Sequence, residues 1–407
     1  MNTLRLLRRN FDHGVHPAHL KQQTEDLSIQ RVPFVSHYVM PLGQHIGVPC
    51  KSVVEVGERV ERGQLIAKPG GFVSTALHSP VTGTINEIGD FRGADGQFAP
   101  AIQIAADPYA TQQLGSSGGI DWQPLSLEEF IGAVQMAGIV GMGGAAFPSH
   151  VKFSVPDGIK IRHLLINGAE CEPYLTNDHR LMVERPEDLL LGAEIVRQKL
   201  GAEETIIGVE ENKPEAIEIL GQHIQPEQSV RVVPMQVKYP QGAEKMLIKT
   251  VFDKEVPAGQ LPRDVEVCVN NVGTIVAIAD YFLRGVPSIE RIVTVSGPGA
   301  SYPANLIVPL GTPVREVLRF CGGLKDETRE VIMGGPMMGR PTASLDVPVL
   351  KGTSGILAFT DAETARPQEY PCIRCGRCLE ACPSHIPIVQ LIRTGKDALR
   401  ASKEQPE

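Results

Sequence analysis

The sequence predicts a multidomain α/β protein, and three observations carry that prediction. Residues 32–105 alternate short apolar stretches with glycine turns, as β-strands joined by tight turns do. Residues 160–285 alternate strand-like and helix-like segments, which indicates a largely parallel sheet with helices packed against it. Four closely spaced cysteines near the C-terminus indicate a small metal-binding segment. A chain of 407 residues is long enough for several such domains.

Composition and charge exclude several classes of function. The net charge of −8 gives no electrostatic support for nucleic-acid binding. No apolar run approaches the roughly 18 residues of a membrane span, and the basic N-terminus lacks the apolar stretch of a signal peptide. The thiols and the cysteine run predict a reducing compartment, so we expect the protein in the cytoplasm or facing it.

The N-terminal strands have a recognisable pattern. Val54 to Ile66 and Ser79 to Ile85 alternate strands with glycine turns. This region resembles the barrel-sandwich hybrid of biotinyl and lipoyl carrier domains. Those carriers need a lysine at a hairpin tip, and the matching stretch from Gly71 to His78 contains none. We therefore expect a packing role for this domain, followed by a Ser/Gly-rich linker over 110–124.

The middle of the chain should begin with a helix at Ser126, where Glu129 completes a capping box, and that helix should end near Gly138. The strands predicted after it cover 161–166, 205–209, 230–237 and 265–269, and the helices cover 186–200, 214–220, 243–251 and 273–282. Further on, 293–299 and 305–309 read as short strands, and Thr312 is predicted to cap a helix over 313–320. That last region resembles the soluble-ligand-binding (SLBB) β-grasp domain.

The cysteine run has the spacing of a bacterial-type [4Fe–4S] site, with Cys372, Cys375, Cys378 and Cys382 followed by Pro383. Zinc ribbons usually separate their cysteine pairs widely, and disulfide frameworks belong to small exported domains, so both fit less well. In two-cluster ferredoxins the fourth cysteine of such a run binds the other cluster. Cys382 therefore either closes one cluster locally or serves a second one.

A glycine-rich loop precedes the alternating region. Gly141, Gly143 and Ala146 loosely match the dinucleotide fingerprint, but a helix rather than a strand precedes them. Consecutive glycines still allow backbone N–H groups to approach a phosphate closely. An ordinary loop that ends a helix is the alternative.

Polar residues also follow three of the predicted strands. Glu170 and Glu172 follow the first of them, and the segment from Tyr239 to Glu244 follows another. Asn270 and its neighbours follow the last strand. Ligands of open α/β sheets bind beyond the carboxyl ends of the strands, so these groups predict a binding site, although each alone is also typical of a turn.

Together these segments resemble the flavin subunit of respiratory complex I, which binds FMN and NADH with them. The matching residues, in chain order, are Gly141, Gly143, Gly144, Ala145, Phe147, Pro148, Lys152, Asn167, Glu170, Glu172, Pro173, Tyr239, Gly242, Glu244, Asn270, Asn271 and Thr274. The resemblance implies that Glu170 and Glu172 orient the nucleotide and that Lys152 and the loop amides bind the FMN phosphate. Asn270, Asn271 and Thr274 would border the flavin. Ala169 departs from that family, which usually has an acidic residue there.

The motif Phe-Asp-His-Gly-Val-His-Pro over 11–17, with the barrel-sandwich region, resembles the RnfC (or RsxC) family, and the resemblance covers nearly the whole chain. It implies the following domains: 1–110 with the barrel-sandwich hybrid, a linker over 111–125, a Rossmann-like FMN- and NADH-binding α/β domain over 126–287, an SLBB β-grasp domain over 288–350, and a ferredoxin-like helical iron–sulfur segment over 351–407. RnfC proteins typically carry two four-cysteine runs, whereas this sequence contains one. His13, His16 and His19 lack nearby carboxylates or thiols, so we expect a turn motif there rather than a metal site.

The resemblance also implies a function. RnfC is the peripheral subunit of a membrane-bound, ion-translocating oxidoreductase, at the cytoplasmic side of the cell inner membrane. We therefore expect an NADH-oxidising translocase subunit that passes electrons between NADH, FMN and [4Fe–4S] clusters. Its partners would be the other Rnf/Rsx subunits and, through the complex, a ferredoxin-type carrier. The alternatives are a flavin-free iron–sulfur carrier and a scaffold subunit that docks a dehydrogenase.

Overall fold

The computed structural model describes residues 9–115, 118–156, 158–365, 368 and 370–403. The strands are β1 Ile29–Arg31, β2 His37–Pro41, β3 Lys51–Ser52, β4 Arg59–Val60, β5 Leu65–Lys68, β6 Leu77–His78, β7 Gly83–Arg92, β8 Phe98–Ala106, β9 His163–Gly168, β10 Glu204–Glu210, β11 Val230–Met235, β12 Val267–Asn271, β13 Glu290–Ser296, β14 Ala304–Pro309, β15 Thr328–Met333, β16 Arg340–Pro341 and β17 Gly355–Thr360. The helices are α1 Leu127–Met136, α2 Ser149–Phe153, α3 Asn177–Glu184, α4 Pro186–Leu200, α5 Pro214–His223, α6 Glu244–Phe252, α7 Val272–Arg284, α8 Val314–Phe320, α9 Asp361–Thr364, α10 Arg377–Ala381 and α11 Ile388–Lys403, and a 3₁₀ turn spans Pro262–Val265. None of the helices in these ranges combines the length and apolar character needed to cross a bilayer.

The N-terminal domain is all-β, as the glycine-punctuated pattern predicts. One sheet has the order β2-β8-β7-β4, and a smaller one has the order β3-β5-β6. The core between them contains side chains that alternate along the strands, including Tyr38, Val60, Ile66 and Ile104. Burial of this alternating set stabilises the two short sheets, which could not stand alone.

The central domain is built on a parallel sheet with the order β11-β10-β9-β12. Helices α1, α4, α5 and α7 contribute to the apolar core on one face, and α6 packs on the other. The predicted capping box is present, since Ser126 and Glu129 satisfy each other's backbone N–H groups. Helix α4 spans the residues predicted for it, because Pro186 starts it and Gly201 ends it with a left-handed φ of 64°.

Three details differ from the sequence predictions. Helices α2 and α3 were not predicted, and α3 is rich in polar residues that are nevertheless buried. The prediction that Thr312 caps α8 is wrong, because Pro313 occupies the cap position. The Thr312 hydroxyl instead donates a hydrogen bond to Pro309 O at 2.7 Å, within the turn that precedes the helix.

The third sheet has the order β1-β14-β13-β17-β15-β16, with α8 packed against it. Strand β1 comes from the N-terminal region and pairs in parallel with β14. Strand β17 enters the same sheet beside β13, from beyond residue 350. The chain ahead of the barrel-sandwich domain is therefore built into the β-grasp sheet, and residues 9–27 cross the central domain on the way.

Candidate functional site

Polar groups gather at the carboxyl edge of the parallel sheet, where the sequence predicted a binding site. Asn167, near the end of β9, joins two of the loops at this edge. Its Nδ2 donates a hydrogen bond to Gly242 O at 2.8 Å, and its Oδ1 accepts one from Ala169 N at 3.1 Å. One central side chain therefore holds the loop that follows β11 against the loop that follows β9.

The glycine-rich loop lies over the start of α7. Met142 N donates a hydrogen bond to Thr274 Oγ1 at 2.9 Å, and that hydroxyl donates to Val140 O at 3.1 Å. Gly143 lies against Asn271, since a Cβ added at Gly143 would be 3.7 Å from the asparagine side chain. The structure therefore brings the predicted glycines together with Asn271 and Thr274.

Asn271 also organises the helix end itself. Its Oδ1 accepts a hydrogen bond from Gly273 N at 2.8 Å, which caps α7, and its Nδ2 donates to Asp178 Oδ2 at 2.6 Å. Both polar atoms of this side chain are thus engaged with protein. Asn270 points elsewhere, since its Nδ2 donates to Cys268 Sγ at 3.3 Å.

The tip of the glycine loop presents free backbone donors. Gly143, Gly144 and Ala145 are exposed, and their N–H groups meet no acceptor within the part of the chain that the structure describes. Gly144 has a φ of 105°, and a Cβ there would meet open space. The loop is closed at its base by the hydrogen bond from Gly141 N to Phe147 O at 2.7 Å. Successive free N–H groups in a turn are the kind of backbone donors from which anion-binding concavities are built.

A lysine and a carboxylate form an ion pair between α2 and α6. Lys152, on α2, forms an ion pair with Glu244 at the start of α6. The ammonium group also donates to Val269 O at 3.1 Å, on the last strand of the sheet. The Lys152 side chain is 23% exposed.

Glu170 is engaged within the protein. Its carboxylate accepts hydrogen bonds from Asp178 N at 2.7 Å and His179 N at 3.3 Å, which are backbone groups in the first turn of α3. The Glu170 side chain is only 3% exposed. A carboxylate at this place satisfies two orphan donors and complements the positive end of the helix.

Glu172 faces the β-grasp domain. Its Oε2 accepts a hydrogen bond from Met337 N at 2.9 Å, and a Cβ at Gly335 would collide with this carboxylate. Its Oε1 is buried and has no partner among the described residues. Burial raises the pKa of Glu172, and burial near this carboxylate raises the pKa of Tyr239 to about 12.

The predicted cluster cysteines lie in a separate segment. All four thiols are free, with Cys372 and Cys375 exposed and Cys378 and Cys382 half-buried. Arg374 N points at Cys372 Sγ, 3.4 Å away. Within residues 370–403, as in the rest of the described chain, the structure gathers no three metal-ligating side chains around one point. Four accessible thiols in so short a run are nevertheless the donor set that an iron–sulfur cluster requires.

Three family models match this chain in the order of its domains. The RnfC barrel sandwich hybrid domain matches residues 9–109, the Nuo51 FMN-binding domain matches 134–280, and the SLBB domain matches 292–341. A component of the proton-translocating ferredoxin:NAD(+) oxidoreductase complex of Clostridium ljungdahlii is 42% identical over 398 residues, which are 98% of this chain and 87% of that protein.

This chain belongs to the RnfC family.

Other RnfC relatives are matched over different shares of their own length. The corresponding component of the Na(+)-translocating ferredoxin:NAD(+) oxidoreductase complex of Acetobacterium woodii is 38% identical and is matched over 92% of this chain and 85% of its own. That of the ion-translocating oxidoreductase complex of Pseudomonas aeruginosa is 43% identical over 89% of this chain but only 47% of its own length. An NAD+-reducing [NiFe]-hydrogenase structure aligns with 58% of this chain and 47% of its own at 22% identity, and its TM-score of 0.47 is too low to support an inference.

These matches confirm the resemblance to RnfC and the predicted architecture of barrel-sandwich hybrid, FMN-binding α/β domain and SLBB domain. All the predicted FMN and NADH residues, from Gly141 to Thr274, lie within the Nuo51 match. The structure brings most of them to one sheet edge. Asn270 and Glu170 are also at that edge, but their side chains are bound to protein groups.

Two residues of this RnfC chain contact the site from outside the Nuo51 match, and sequence reasoning missed both. Lys21 is buried, and its Nζ donates to Glu170 O and Glu172 O, each at 3.0 Å, and to Leu175 O. Arg291, on β13, is also buried and donates to Met142 O at 2.5 Å, directly beneath the glycine loop. No local pattern marks either residue, because the site groups that they contact are more than a hundred positions away.

Proposed function

We propose that this RnfC chain is the peripheral electron-input subunit of a membrane-bound, ion-translocating ferredoxin:NAD+ oxidoreductase complex. The names of the Clostridium and Acetobacterium relatives support this assignment, and so does the Nuo51 FMN-binding match. In this role the chain, at the cytoplasmic side of the membrane, passes electrons between NADH, FMN and [4Fe–4S] clusters. The other subunits of the complex couple that flow to ion movement and exchange electrons with a ferredoxin-type carrier.

The observation that carries the proposal is the row of free N–H groups at Gly143, Gly144 and Ala145. Three exposed backbone donors in successive residues suit an anion such as a phosphate, and Lys152, paired with Glu244, supplies a positive charge in the same domain. We infer that they hold the FMN phosphate, while Asn271 and Thr274 fix the loop that carries them. FMN, when bound, would supply a group that accepts two electrons together and releases them one at a time.

The two glutamates receive different roles. The Oε1 atom of Glu172 is buried without a partner, and among the described residues it is the one carboxylate oxygen on a side chain in that condition. We infer that it accepts a hydrogen bond from a hydroxyl or amide of NADH. Glu170 acts indirectly, because its carboxylate is bound to α3 and it lies 3.9 Å from the Lys21 ammonium. It is a positioning residue that sets the course of the loop leading to Glu172.

The four cysteines complete the proposed path. Cys372, Cys375, Cys378 and Cys382 would supply one thiolate each to a [4Fe–4S] cluster, whose chemistry is the exchange of single electrons. In this assignment Cys382 closes the cluster locally. The thiols are exposed or half-buried, so iron and sulfide can reach them.

Anaerobic reconstitution with iron, sulfide and FMN tests the proposal. Flavin absorbance should bleach on addition of NADH, and reduction of a [4Fe–4S] signal should follow. Glu172→Gln should raise the KM for NADH, whereas Glu211→Gln, at the end of a neighbouring strand, should not. If the chain assembles a cluster but binds no FMN, the flavin-free carrier is the better description. If FMN binds and NADH does not bleach it, the assignment of NADH to this edge is wrong.

A further inference from the structure

The motif over 11–17 has a place in the fold that the proposed function does not explain. Its first part is anchored on the central domain. The Phe11 ring is buried, and Lys238 Nζ lies 4.0 Å from the ring centroid. The same ammonium donates hydrogen bonds to Phe11 O and to His13 O, the latter at 2.7 Å. A buried aromatic ring and a lysine thus hold this loop against the strand end that leads to Tyr239.

The loop then pairs with the candidate FMN edge itself. Val15 N donates to Tyr239 O at 2.9 Å, and Tyr239 N donates to Val15 O at 2.8 Å. Gly242, three residues after Tyr239, accepts the hydrogen bond from Asn167 at the centre of the site. The motif is therefore fastened to one of the loops that form the site.

Its other side contacts the iron–sulfur segment. Gly14 N donates a hydrogen bond to Ala381 O at 2.9 Å, and Ala381 directly precedes Cys382. The rings of His13 and His385 meet edge to face, with centroids 4.8 Å apart. The backbone of His385 in turn donates to Cys382 O at 2.9 Å. The two contacts therefore lie on either side of a cluster cysteine.

Only glycine fits at the centre of this arrangement. Gly14 has a φ of 85°, which side chains rarely adopt. A Cβ there would lie 2.9 Å from Tyr239 O and 3.2 Å from the Phe11 ring. A side chain at this position would therefore separate the loop from Tyr239, from the Phe11 anchor, or from both.

We propose that residues 11–15 form a clamp that seats the iron–sulfur segment beside the FMN-binding edge and so sets the rate of electron transfer between the two cofactors. The connection is short: Gly14 N donates to Ala381 O, next to Cys382, and the N–H of the following residue donates to Tyr239 O at the candidate FMN edge. With both cofactors bound, the hydride of NADH would bring two electrons and one proton to the flavin. The flavin would pass one electron to the [4Fe–4S]²⁺ cluster, giving [4Fe–4S]⁺, and the second after an onward carrier of the complex had reoxidised the cluster, and the proton would be released to solvent. This role rests on the proposed function, whereas the clamp itself does not.

The clamp can be tested without either cofactor, by hydrogen–deuterium exchange of the full-length apo chain. Gly14→Ala should accelerate exchange in peptides covering 372–387. Loss of one hydrogen bond costs about 1 kcal/mol, so the ratio of seated to released segment should fall about fivefold. Gly57→Ala is the matched control, because Gly57 has a φ of 88° and open space around it in the barrel-sandwich domain. It carries the same backbone strain and should leave that exchange unchanged.

A second variant guards against a folding defect. His13→Ala leaves the Gly14 backbone unstrained and removes the ring contact with His385. It should accelerate hydrogen–deuterium exchange in the same peptides. His37→Ala, at an exposed position in the barrel-sandwich domain, should leave that exchange unchanged. If neither Gly14→Ala nor His13→Ala changes exchange over 372–387, the clamp does not exist.

Stopped-flow spectroscopy of the reconstituted chain tests the consequence. Gly14→Ala should leave the rate at which NADH bleaches the flavin unchanged and slow the reduction of the cluster that follows. A merely structural defect would lower both rates or the flavin content. Equal cluster-reduction rates in Gly14→Ala and wild type would overturn the role in electron transfer. If wild type shows no bleaching, the proposed function fails, and the exchange experiment alone decides the clamp.

Discussion

Replacing Lys21 with methionine should change the stability of this protein in a pH-dependent way. Lys21 is 3% exposed, and its ammonium group lies among the carbonyl groups of the loop between β9 and α3. Burial lowers the pKa of Lys21 from its usual 10.5 to about 8, against the opposing effect of Glu170. Methionine has a similar length, cannot donate a hydrogen bond and carries no charge.

Two opposing contributions follow from these contacts. A shift of one pKa unit corresponds to about 1.36 kcal/mol. The lowered pKa of Lys21 therefore means that, below about pH 8, burial of its charge costs the folded state roughly 3 kcal/mol. In the methionine variant, three backbone carbonyls lose their hydrogen-bond donor. Each loss costs the folded state about 1 kcal/mol at the low end, which adds up to roughly 3 kcal/mol. At neutral pH the two nearly cancel, so Lys21→Met should alter the free energy of unfolding by no more than about 1 kcal/mol.

The balance shifts as the solution becomes alkaline. The native-state pKa of Lys21 is below its unfolded value, so the folded protein loses the proton first. The cost of burying the charge is therefore relieved as pH rises from about 8 towards about 10.5, and the neutral amine still donates to the carbonyls. By about pH 9.5 this titration should have raised the free energy of unfolding of the wild type by roughly 2 kcal/mol. The methionine variant cannot gain this stability, because it has no group to deprotonate.

Urea unfolding at about pH 7 and about pH 9.5 measures this difference, with denaturant slopes compared to verify a single transition. The fluorescence of Trp122, the single tryptophan, reports on the central domain because its ring packs against that core. Lys160→Met is the control, since Lys160 is exposed and pairs with Glu203 at the surface. If the stability difference between wild type and Lys21→Met is the same at both pH values, Lys21 is not a buried ammonium and the reasoning fails.

Three further predictions concern the cofactors. Gly144→Ala should weaken FMN binding about tenfold, because a left-handed backbone costs an L-residue about 1–2 kcal/mol, so the free loop would relax and would have to regain that conformation to bind, whereas Gly143→Ala should change it little. Flavin fluorescence titration compares the two, and equal affinities would contradict the role of the loop tip. In the same titration, Lys152→Met should weaken FMN binding by about 2 kcal/mol through loss of a charged donor, and Lys245→Met on the neighbouring helix should not. Cys382→Ser should lower the iron and sulfide content per chain while leaving FMN binding unchanged, and an undiminished iron content would show that Cys382 does not close the cluster.

Local signals were enough to predict several elements from the sequence. Helix α4 matches its predicted range of 186–200 from end to end, and in the structure Pro186 starts it and Gly201 ends it through their own backbone preferences. Helix α1 was predicted from the reciprocal capping of Ser126 and Glu129. The order of strands and helices predicted a parallel sheet, and that sheet brings the strand-end residues to one edge.

Other features depend on partners that are far away in the chain, and these could not be predicted. Helix α3 has too few apolar residues to be recognised by periodicity, and Glu170, outside the helix, satisfies its first backbone donors. The buried positions of Lys21 and Arg291 follow from loops and strands of other domains that surround them. Gly14 reads as an ordinary turn residue in the sequence, and only the folded chain places it between Tyr239 and Ala381. Local patterns record backbone preferences, whereas a buried charge or a contact between domains depends on groups that only folding brings together.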